Sequence, residues 1–135
     1  MIWARINTVV FLLLLNFSLS ASGTELPPKI MLDGMSFQGE LKVVNGFFTW
    51  ISVDDTIVFE EGNFFWSSGV DGGYKPVPYK IELKNAKIIF TVHSGREEGD
   101  YVDWTGFYDG GSLDNVTAVW TRVEKIIFMI FCCHL

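Results

Sequence analysis

Cysteine is nearly absent from this chain: the two present, Cys132 and Cys133, are adjacent and terminal. Neighbouring cysteines make a poor disulfide, so packing and hydrogen bonds must hold the domain together. Histidine is equally scarce, with His93 and His134 alone, and no pair of His, Cys or carboxylates has metal-ligand spacing. No Gly-x-Ser-x-Gly elbow is there to present a nucleophile. His93, at the end of an expected strand, reads as a surface residue. Glu97, Glu98, Asp100 and Asp103 lie in and just after an expected loop, Ser94 to Asp100, and read as a solvated acidic turn rather than a glycosidase pair. Asp71-Gly72-Gly73 and Asp109-Gly110-Gly111 lack the spaced acids of a calcium loop and read as turns. The expectation is a protein that is not an enzyme, with neither metal nor cofactor.

Positive charge is also short. Ten Lys and Arg face sixteen Asp and Glu, for a net charge of −6. Such a chain repels phosphate backbones and anionic headgroups, which excludes nucleic acid and electrostatic membrane partners. Long hydrophobic runs are missing as well. Val9 to Phe17 falls well below the roughly 20 residues that cross a bilayer, so no stable membrane span is expected.

What the amino terminus does carry is the pattern of a secretory signal peptide over residues 1–23. Arg5 precedes the apolar Val9 to Leu15, and small residues run from Ser18 to Gly23, with the cut expected between Ser20 and Gly23. The product is expected to be secreted or periplasmic. Residues 24–34, through Pro27-Pro28, read as an extended lead-in.

Residues 35–125 show short β-branched and aromatic runs between turn residues and no 3.6-residue apolar period, which predicts about eight strands. Ser36 to Val44 is the first, interrupted at Gly39, and Asn45-Gly46 is a strong hairpin signal leading into Phe47 to Val53. Asp54-Asp55 reads as a turn into Thr56 to Glu60, and Glu61 to Asn63 as a turn into Phe64 to Ser67. Gly69 to Pro78 reads as a long irregular loop, since Pro76 and Pro78 cannot donate within a central ladder. Tyr79 to Lys84 and Lys87 to His93 form a hairpin about Asn85-Ala86; Tyr101 to Asp109 and Asn115 to Glu124 form the last. Asn115-Val116-Thr117 fits a glycosylation acceptor. The fold class is all-β, an antiparallel barrel or a two-sheet sandwich.

Residues 126–135 are a hydrophobic tail without alternation or charge. Two readings stay open for it, a last strand closing the barrel or the product of a shifted reading frame after Lys125.

Aromatics supply the remaining signal. Trp50, Trp104, Tyr108 and Trp120 pointing into a barrel would line a site for a small hydrophobic or lipid-like ligand. Trp66, Tyr74 and Tyr79 on a loop rim would instead make a stacking platform for sugars. A third reading is a structural or protein-interaction domain using exposed edge strands. In strand count and leader the chain is broadly similar to lipocalin-like barrels, a similarity of architecture that does not by itself establish function; it lacks their Gly-x-Trp near the start and their disulfide. The favoured function is non-enzymatic binding of a small hydrophobic ligand, with a carbohydrate-binding module or an interaction domain as alternatives.

Overall fold

The computed structural model describes residues 31–45, 48–123 and 125–134, with the backbone alone at 45 and 48–50. The signal peptide, most of the lead-in, Gly46 of the expected hairpin turn and Leu135 lie outside the described residues.

Nine strands make one antiparallel sheet. They are β1 (Met35–Asn45), β2 (Phe48–Glu60), β3 (Asn63–Trp66), β4 (Val77–Pro78), β5 (Lys80–Lys84), β6 (Lys87–Glu97), β7 (Asp100–Tyr108), β8 (Leu113–Arg122) and β9 (Lys125–Cys133). The sheet order is β4-β3-β2-β1-β9-β8-β7-β6-β5. Only Tyr79 separates β4 from β5, so one extended segment pairs first with β3 and then with β6. That brings the two ends of the sheet together into a nearly closed barrel. All nine strands described belong to a single sheet, in keeping with the expected all-β barrel or sandwich architecture.

Turn chemistry explains the connections. Asn85 and Ala86 take φ of 51° and 60°, and Glu61 and Gly62 take 50° and 77°, the left-handed pairs that close two-residue hairpins with the native twist. Five expectations need correction. β2 runs unbroken through Asp54-Asp55, because Asp55 faces inward and its carboxylate accepts the N–H of Thr56 (2.8 Å), the N–H of Ser68 (3.1 Å) and the Ser68 hydroxyl. β1 runs unbroken through Gly39: a Cβ there would lie 2.6 Å from the Phe131 ring, so the glycine makes room for β9 rather than interrupting a strand. The loop expected from Ser94 to Asp100 is a hairpin with only Glu98 and Gly99 in the turn. The long irregular loop contains a helix, α1 (Ser67–Asp71), too short to show any apolar period. The described part of the lead-in is also not extended, since Met31 and Leu32 are helical and lead through a turn at Asp33 and Gly34 into β1.

The terminal stretch is β9, held between β1 and β8. Its composition hides the alternation its geometry keeps. Met129 and Phe131 are buried, while Ile126, Phe128 and Ile130 are exposed on the outer wall.

The barrel interior is filled by rings. Phe59 meets Phe64, Tyr79 and Phe90 edge-on at centroid separations of 5.4, 4.9 and 5.1 Å, the arrangement that the ring quadrupoles favour. Phe37 bridges Phe59 and Tyr108 at 6.2 and 5.9 Å. Leu32 is fully buried, and the Gly34 N–H donates to Phe59 O at 2.7 Å, so the lead-in stoppers the end where β1 begins. This will be called the lower end. The upper end gathers the β6–β7 turn, the last residues of β1 and β8 and the first of β2 and β9.

Candidate functional site

The upper end is built from strands of unequal length. β3 pairs only with Ile57 to Glu60 of β2, so the earlier residues of β2 have no strand partner on that side among the described residues, and α1 reaches them only at Asp55 and Thr56. Cross-strand register places Val53 beside the buried Leu41, and Ile51 beside Val43, on the inward face. There Ile51 stays 56% exposed and Val53 41%. Val43, Ile127 and Trp120 are half-buried against the core. Strands normally bury their inward apolar residues; here Ile51 and Val53 face inward in register and stay open to solvent.

Asp100 opens β7 on another wall and is 1% exposed. Its carboxylate accepts hydrogen bonds from the Tyr74 hydroxyl, the Arg96 guanidinium and Trp120 Nε1–H, the last at 2.9 Å. Burial pushes this carboxyl up, and the donors of Tyr74, Trp120 and Arg96 together outweigh it, holding it below the ordinary carboxylate range. Burial, reinforced by the adjacent Asp100, pushes the Tyr74 phenol up to about 12, so the phenol stays a donor at any physiological pH. Arg96 also lies over the Tyr74 ring at 5.4 Å and donates to Gly72 O at 2.8 Å. Arg122 sits over the Trp120 ring at 5.8 Å.

These contacts clamp α1 across the gap between β3 and β6. Its first turn is held by Asp55 through Ser68, and the chain after it by Arg96 and Tyr74. The helix rests directly on the Trp66 indole. A Cβ at Gly69 would lie 2.1 Å from that ring, so no larger residue fits without lifting the helix. Beneath it Trp66 packs on Tyr74 and Trp104 at 5.0 and 5.1 Å. Two inward polar atoms in this region, Ser94 Oγ and Trp104 Nε1, are buried without a hydrogen-bond partner among the described residues.

The structure redistributes the aromatic candidates. Of the first set, Trp120 sits at the upper mouth, Trp104 is packed below it, and Tyr108 lies toward the lower end against Phe37. Trp50 belongs to β2, with its side chain outside the described residues. Of the second set, Trp66, Tyr74 and Tyr79 are all buried, and the Trp66 and Tyr74 planes are inclined at 41°. They offer no exposed coplanar face of the kind that sugar stacking requires. Trp66, Tyr74, Trp104 and Trp120, kept in separate sets by sequence, converge near Asp100.

Asp100, Arg96 and Ser94 are the residues that sequence reasoning missed. The available signal was the alternation of Phe90, Val92, Ser94 and Arg96, which continues β6 past His93, and of Asp100, Val102 and Trp104, which begins β7 one residue early. His93 lies on the outer wall, exposed, with Nδ1 2.6 Å from Asp103 Oδ1. It borders a shallow cleft of about 460 Å³ with Lys80, Thr91 and Thr105. Among the described residues no three His, Cys, Asp or Glu side chains gather to hold a metal, and no helix is long and apolar enough to cross a membrane.

The class defined by this geometry is an antiparallel β-barrel with a buried aromatic cluster and an uncovered apolar mouth. No protein-family model, curated protein or solved structure matches the chain.

Proposed function

We propose that the protein is an exported, non-enzymatic binder of a small hydrophobic or lipid-like ligand, lipocalin-like in general architecture. One observation carries the reading: inward-facing Ile51 and Val53 remain exposed at the upper mouth, beside half-buried Val43, Ile127 and Trp120. A concave apolar wall with a few convergent polar groups is the usual make-up of a small-molecule site. Export rests on the leader pattern of residues 1–23. Fold alone would not license the reading, since barrels host many functions.

The test is native mass spectrometry of protein exported from its own host and purified without detergent, compared with the same sample denatured. A lipid-sized adduct lost on denaturation is the expected result. A clean apo mass, together with no uptake of added apolar probe, would defeat the reading. A second reading, protein interaction, is favoured by a different observation: Ile126, Phe128 and Ile130 form an exposed apolar strip on the outer wall.

A further inference from the structure

Two buried donors without partners in one region call for an explanation. A buried polar group left unsatisfied forfeits its hydration without recompense, so native proteins rarely leave two together. Ser94, Val102, Trp120 and Ile127 form a single cross-strand row over β6 to β9, and Trp104 lies in the next inward row, between Val92 and Ala118. Ser94 Oγ and Trp104 Nε1 therefore sit at, and one row below, the level of the half-buried Trp120. They are diagonal neighbours on β6 and β7.

Building on the ligand-binding reading of the mouth, we infer that the ligand enters head first, its head being an uncharged oxygen acceptor held by Ser94 Oγ and Trp104 Nε1. Its apolar tail runs outward along Ile127, Val43, Ile51 and Val53. The charges nearby select the head. Asp100 already occupies the Arg96 guanidinium and the exposed Arg122 lies over the Trp120 ring, so a ligand carboxylate at the level of Ser94 would enter a dry site beside a carboxylate whose nearby cations are already engaged. An ammonium head would find Asp100 and could donate to Ser94 Oγ but would leave the Trp104 indole N–H unsatisfied. A hydroxyl or carbonyl meets the donors at no charge cost. The ligand class is thus the neutral amphiphile: a fatty alcohol, ketone, aldehyde or ester.

The experiment titrates the exported protein at neutral pH with N-phenyl-1-naphthylamine, a neutral apolar fluorophore without oxygen, then displaces it with 1-decanol, decanoate or decylamine. Decanol is expected to compete at about tenfold lower concentration than either charged analogue. It should also move the Trp104 indole N–H resonance downfield in a nitrogen-resolved spectrum. Ser94→Ala should weaken decanol about fivefold while leaving the fluorophore's affinity unchanged. If the fluorophore binds but decanol shows no advantage and the indole resonance stays put, the head-first inference is overturned and the binding reading survives. If the fluorophore does not bind, both fall.

Discussion

The two ends of this barrel are built on opposite plans. The lower end is dry and closed: Phe37, Phe59, Phe64, Phe90 and Tyr79 interlock, and Leu32 and Gly34 seal them from below. The upper end is polar and incompletely covered, with a buried Asp100 held by three donors, a five-residue helix clamped over Trp66, and apolar residues of β1 and β2 facing water. A barrel without disulfides in its body needs one end to supply its stability, and that frees the other to carry features a core would not tolerate. The dry ring cluster lies at one end of the barrel axis and the exposed apolar residues of β2 at the other.

Substitutions at the two ends should therefore behave differently. Phe59→Ala at the lower end should cost about 3–5 kcal/mol, measured by urea unfolding, because the rings around it cannot collapse into the space. Asp100→Ala at the upper end should cost less, about 2 kcal/mol, since Arg96 is partly exposed and water can take over its bonds. The acid side of the stability curve reports the same group. The folded Asp100 carboxyl lies below its unfolded value, so its contribution is fully present above about pH 4 and is lost as pH falls through the lower folded value. Asp100→Asn should flatten that part of the curve. At the mouth, the pair Ile51→Ser and Val53→Ser should change stability by no more than about 0.5 kcal/mol each while weakening apolar-probe binding about tenfold. Phe128→Ser, on the outer strip and 58% exposed, should alter neither stability nor probe binding measurably.

The lower end was the more legible in sequence. Its strands alternate cleanly and its turns carry the residues that left-handed conformations demand, as at Asn85-Ala86. The upper end was obscured because its logic is non-local. Asp100 looks like one more acid in a charged turn until Tyr74, Arg96 and Trp120 are brought to it, the first 26 residues away in sequence and the last 20. Asp55 likewise reads as a turn residue until Ser68, 13 residues on, supplies its hydrogen bonds. The β9 strand was ambiguous for another reason. Apolar residues on both its faces erase the period that marks a half-buried strand, and only pairing with β1 and β8 reveals which face is inside.

The most direct test of this division is a titration of wild-type protein and the Ile51→Ser/Val53→Ser variant with N-phenyl-1-naphthylamine, with thermal melting of both. The account expects saturable binding to the wild type, a loss of about tenfold in the variant, and melting temperatures that agree within a few degrees. Equal binding by the two proteins, or no binding by either, would contradict it.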